Sequence, residues 1–133
     1  RLTRLAAEKL RAPMAAVSLI DENREWFKSG YGLKEKEGRR AESFCGHAML
    51  ARVIFVVEDT LKDERFADNP QVIGSPFIRA YAGIALYNKE KNLPVGVLCV
   101  KDTRPRVFSA AEISSLVELA SLCEEEINSG KKR

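Results

Sequence analysis

No stretch of this sequence is apolar for long enough to cross a bilayer. The longest runs, such as Val53–Val57 and Val95–Val100, fall far below the roughly 20 residues that a spanning helix needs. Cysteine is scarce: Cys45, Cys99 and Cys123 stand far apart with no Cys-x-x-Cys pair, which removes a disulfide framework and any common zinc pattern. A reducing cytoplasm is the expected setting. There is one histidine, His47, so no cluster of imidazoles exists to bind a metal. A surplus of charge is missing as well. The net charge of +3 is supplied by Lys131, Lys132 and Arg133, and the 19 acidic residues match the basic ones over residues 1–130. Bulk charge therefore gives no support to a nucleic-acid groove, and residues 131–133 read as a solvated basic tail.

What is present describes one ordinary globular domain over residues 1–130. The chain has 133 residues, 45% hydrophobic and 31% charged, which is enough to bury a core without disulfides or metals. It begins at Arg1, without Met and already in helical register, which suggests a piece of a longer protein; no cleavable signal segment is visible.

The densest chemistry lies in Glu42–Arg52. Ser43 is a candidate helix N-cap, and Phe44, Ala48, Met49 and Ala51 recur at helical spacing. The helix would begin at Cys45-Gly46-His47. Unsatisfied N–H groups at a helix start attract anions and lower the pKa of a thiol, so Cys45 and His47 are candidate site residues. The competing reading is that both are buried structural residues.

Around this stretch the periodicity changes several times. Leu2, Leu5, Ala6 and Leu10 form a narrow stripe on a first helix that must stop before Pro13. Residues 14–20 and 25–31 read as a strand hairpin, 34–40 as a mixed-charge loop, and 53–58 as a short strand. Residues 63–67 make one turn capped by Asp63, and 70–80, with two prolines and a glycine, read as irregular. A second hairpin follows, with strands over 81–87 and 93–102. Gly83 and Gly96, inside these strands, would let a ligand or another backbone approach closely.

The last helix, 109–128, has the clearest start: Ser109 and Glu112 form a capping box, and Phe108 and Ile113 can form the hydrophobic staple. Ile113, Leu116, Val117, Ala120, Cys123 and Ile127 form the stripe expected on a sheet. Leu119 and Leu122 lie off it, which makes them candidate contacts for a second copy. The order of elements predicts an α+β domain around a mostly antiparallel sheet.

Six blocks resemble a bacterial GAF domain: Met14–Asp21, Trp26–Gly32, Ser43–Ala48, Asp63–Pro70, Ile78–Gly83 and Gly96–Asp102. The resemblance covers nearly the whole chain. It implies a sheet of five or six strands with the terminal helices on one face, and with short helices and loops covering a ligand pocket on the other. It also implies a site in which Phe44, Cys45 and His47 face one side of a cavity roofed by Arg65, Phe66, Arg79 and Tyr81. The residues alone allow a salt bridge for Arg65 and core packing for Phe66 and Tyr81.

Relatives that bind cyclic nucleotides carry Asn-Lys after the final strand, whereas here Lys101-Asp102 stands there and Asn88-Lys89 lies in the preceding hairpin. Relatives that bind bilins have Cys directly followed by His, whereas Gly46 separates Cys45 from His47. The cofactor is therefore unknown and no metal is expected. By resemblance the domain is a non-catalytic sensory module. It would bind an unidentified small molecule or partner domain, form a homodimer, and signal to an output such as a histidine kinase, diguanylate cyclase or phosphodiesterase. The alternatives are a structural dimerisation unit and, from a related fold, a reductase of free methionine sulfoxide that would use Cys45.

Overall fold

A computed structural model describes residues 2–20, 24–32, 37–39, 44, 48, 54–90 and 92–129. The first helix, α1, spans Leu2–Leu10 and buries Leu2, Thr3, Ala6, Ala7 and Leu10. Leu5, expected on the buried stripe, is exposed. Thr3 and Ala7 take its place because spacings of three and four residues link 3, 6, 7 and 10 into one face. The helix closes in a Schellman motif: the Ala12 amide donates to the Ala7 carbonyl at 2.9 Å and the Arg11 amide to Glu8 at 3.3 Å. Arg11 adopts φ 53°, the left-handed conformation this closure requires.

Six strands follow: β1 (Met14–Ile20), β2 (Arg24–Tyr31), β3 (Glu37–Arg39), β4 (Phe55–Val57), β5 (Ala80–Asn88) and β6 (Leu93–Asp102). They form one sheet in the order β3-β2-β1-β6-β5-β4, and each neighbouring pair is antiparallel. Strand β3 falls inside the segment expected to be a loop, where three residues pair with β2. The stretch expected to be irregular contains a short helix, α2 (Pro70–Ile73). Asn69 caps it, accepting from the Gln71 amide at 2.8 Å, and Pro70 occupies the first helical position, where its missing N–H costs nothing.

The last helix, α3, spans Ala110–Ser129. Its capping box forms as expected: Ser109 N–H donates to Glu112 Oε1 at 2.9 Å, and Glu112 N–H to Ser109 Oγ at 3.1 Å. The buried face is Leu116, Leu119, Ala120 and Cys123, with Ile113 and Ile127 packed at its edge. Val117, expected on that face, is exposed, and Leu119, expected off it, is 5% exposed. The cause is α1: its residues Leu2, Ala6, Ala7 and Leu10 join the same core, which widens the buried arc of α3 towards Leu119.

Strand alternation divides the interior into two cores. Ala15, Val17, Ala80, Ala82, Leu86, Leu98 and Val100 pack against α1 and α3. Met14, Ala16, Val57, Tyr81, Val97 and Cys99 point to the other face, where Phe44, Ala48, Phe66, Val72 and Ile78 cover them. Among the described residues no helix is long and apolar enough to cross a membrane.

Candidate functional site

The face of the sheet away from the terminal helices is lined by aromatic rings. Phe44, in helical backbone, lies flat on Phe66, with ring centroids 4.2 Å apart and planes 6° from parallel. Tyr81, on β5, meets Phe44 at 5.3 Å. Phe55, on β4, meets Phe66 edge-on at 6.1 Å and Tyr81 at 6.0 Å. Phe44, Phe66 and Tyr81 are at most 1% exposed. Each such ring pair contributes roughly 0.5–1.5 kcal/mol beyond its buried area.

Phe66 is delivered by a tight turn. Asp63 starts it, its carboxylate accepting from the Arg65 amide at 3.0 Å and its carbonyl accepting from the Phe66 and Ala67 amides at 2.9 Å. The same carboxylate takes the Arg65 guanidinium in a two-pronged contact, at 2.9 Å and 2.6 Å. This grip draws Arg65 over the cluster, 4.9 Å from the centroid of Phe55 and 5.5 Å from that of Phe66. Arg65 is thus an exposed cation on an aromatic floor, and the hydrogen bond it donates to Asp63 pushes its pKa further up.

Arg79 holds the other side of the loop. Its Nη2 donates to Asp59 Oδ1 at 3.0 Å and its Nε to the same oxygen at 3.3 Å. Burial alone would raise the Asp59 pKa, but the hydrogen bonds from Arg79 and from the Leu61 amide outweigh it and hold the carboxyl below its usual range. Thr60 closes the loop onto the residues that lead into β5, its amide donating to the Arg79 carbonyl at 2.9 Å and its hydroxyl to the Ile78 carbonyl at 2.7 Å.

The family model of the GAF domain matches residues 1–127. The chain belongs to the GAF family. It is 43% identical over 101 residues to a cyclic di-GMP phosphodiesterase of Pseudomonas aeruginosa, an alignment that covers 76% of this chain and 17% of that protein. The GAF domain thus spans about a sixth of that relative's length.

Among solved structures, the GAF domain of an Acinetobacter phosphoenolpyruvate-protein phosphotransferase superposes with a TM-score of 0.72 at 22% identity, covering 95% of this chain and 77% of that one. The free methionine-R-sulfoxide reductase of Neisseria meningitidis, in complex with its substrate, gives a TM-score of 0.76 at 17% identity, covering 98% and 75%. At these identities the two structures establish a shared fold.

Of the expected site residues, this GAF domain brings Phe44, Phe66 and Tyr81 into one packed cluster with Arg65 above it, while Arg79 faces Asp59 at the edge. Cys45 and His47 lie outside the described residues. Leu119 belongs to the core against α1 and α3, so Leu122, 46% exposed, is the outward-facing member of the expected pair. The space above Gly83, expected to admit a ligand or a backbone, is taken by the Tyr81 ring: a Cβ added at Gly83 would fall on the Tyr81 phenol oxygen.

Phe55 is a residue of this cluster that the sequence does not single out. It was hidden in an apolar run, although its spacing of two from Val57 marks the same sheet face.

Proposed function

We propose that this GAF domain is a non-catalytic regulatory module of the cytoplasm. A small molecule binds on the aromatic face, and the change passes through β5 and β6 to the terminal helices and on to an output domain such as a histidine kinase, diguanylate cyclase or phosphodiesterase. One observation carries this reading: alternate residues of the same two strands build both cores. Tyr81, Val97 and Cys99 face the aromatic side, and Ala80, Ala82, Leu86, Leu98 and Val100 seat the helices. Displacing the rings shifts strands on which α1 and α3 rest. The likeness to a cyclic di-GMP phosphodiesterase supports the choice of output.

A homodimer through α3 completes the proposal. Val117 and Leu122 are exposed on this helix, and Leu2, Leu122, Glu125, Glu126 and Ser129 line a groove of about 310 Å³ beside it. The charge outside the basic tail is balanced, which gives no support to a nucleic-acid partner.

A thermal-shift screen over nucleotides, amino acids, haem and metal ions tests the binding step. A ligand at a hundred times its Kd stabilises the folded state by about 2.7 kcal/mol, which is readily seen. Stabilisation by one compound class supports the sensory reading. The close stacking of Phe44 on Phe66 favours a second reading, a structural unit whose pocket is filled by its own rings. No shift with any compound would favour that unit.

A further inference from the structure

The site loop and the terminal helices meet at one buried residue. Asp102, the last residue of β6, is 1% exposed. Its carbonyl accepts the Arg79 amide at 2.8 Å, which fixes the end of the loop that carries the Arg79–Asp59 ion pair. Its carboxylate accepts the Arg104 amide at 3.1 Å and Arg106 Nη1 at 3.0 Å.

Arg106 spreads that contact across the fold. Its Nη2 donates to Glu112 Oε2 at 2.8 Å, in the first turn of α3. Its Nη1 also reaches the carbonyl of Arg11, just past α1, at 3.5 Å. Its backbone amide donates to the Glu58 carbonyl, just past β4, at 3.0 Å, and its guanidinium lies 4.7 Å above the ring of Phe108. One planar fork, largely buried, thus ties the first turn of α3 and the end of α1 to the residue that anchors the site loop, while the backbone amide of the same residue holds the end of β4.

We propose that Arg106 is the coupling latch of the domain: a positioning residue that passes a change in the 59–79 loop, through Asp102, to the first turn of α3 and the end of α1. The geometry makes the link two-sided. Glu112 spends one carboxylate oxygen on the Ser109 amide and the other on Arg106, so the capping box and the latch share a single side chain. Rotating Asp102 withdraws the guanidinium and loosens the start of α3. The link is a property of the fold whether or not a ligand binds; its use as a signal route rests on the regulatory reading above.

Amide hydrogen exchange on the whole chain tests it through a cycle of variants. Asp59→Asn weakens the Arg79 pair in the loop without touching either helix. We expect it to speed exchange at the Glu112 and Ile113 amides by about 5-fold or more, the lower end of typical coupling between sites. The effect should vanish in an Arg106→Gln background. It should persist in Arg104→Gln, whose side chain is exposed and stands 3.8 Å from Asp102.

Glu112→Gln provides a second route should Arg106→Gln not fold. Glutamine keeps one acceptor for the Ser109 cap but lacks the second oxygen that Arg106 uses, so the helix start survives while the coupling is lost. An Asp59→Asn effect on α3 that is absent, or that is unchanged by Arg106→Gln and Glu112→Gln, would overturn the latch and leave Arg106 as a structural brace. A ligand screen with no hits would leave the exchange result standing, so the two readings fail separately.

Discussion

Phe44 lies flat on Phe66, 4.2 Å between centroids, and this contact closes the face of the sheet on which the candidate site is built. Phe66 comes from a turn held by Asp63 and Phe44 from a helical segment distant in sequence, so their stacking fixes two coverings of the sheet together.

Phe66→Ala should cost about 3–5 kcal/mol of stability, the range for deleting a buried ring. Urea unfolding measures it. A loss below about 1 kcal/mol would mean that the site face collapses around the gap and does not depend on the stack.

How much of this was legible in the sequence depended on distance along the chain. The Ser109–Glu112 box and the 3.6-residue period of α3 are local, and both were readable. Pro70–Ile73 was not, because a four-residue helix leaves no period to detect and its Pro and Gly neighbours signal a break. The exchange of Val117 for Leu119 on the buried face depends on where α1 packs, which no spacing within α3 reveals. Arg106 could not be found at all: its partners Arg11, Asp102 and Glu112 come from three elements, and the sequence shows only an arginine in a loop.

Acid should loosen the site loop. The folded pKa of Asp59 is lowered, so its carboxylate stabilises fully above the unfolded value of about 4, and that contribution is lost as pH falls through the lower folded value. The urea midpoint of the wild type should therefore fall more steeply below about pH 4 than that of Asp59→Asn. Parallel curves would show that the Arg79 pair adds nothing to stability.

Thiol chemistry should be confined to one cysteine. Cys99 is fully buried, and burial, reinforced by Glu126 and Glu124, pushes the Cys123 thiol up to about 11. Cys45 is expected at a helix start, where a thiolate is favoured. Brief treatment with iodoacetamide near pH 8, followed by peptide mass analysis, should find Cys45 modified and the other two intact. Equal rates at all three would remove any special role for Cys45, and a mass change on it after incubation with free methionine sulfoxide would reverse the non-catalytic reading.

Self-association should run through α3. Sedimentation over a concentration series should show a dimer that Leu122→Glu weakens by at least about tenfold, since a charge replaces an apolar contact. The variant leaves the core intact, unlike a change at buried Leu119. A wild type that stays monomeric at every concentration, or a dimer indifferent to the substitution, would contradict the interface.

A regulatory module of this build must carry binding on its aromatic face to the terminal helices. Hydrogen exchange with and without the compound that most stabilises the wild type in the nucleotide, amino-acid, haem and metal-ion screen tests both halves at once. Slower exchange is expected in residues 54–80 together with a change, in the same samples, at the first turn of α3. Protection confined to the helices, protection of 54–80 with α3 unaltered, or no stabilising compound at all would contradict it.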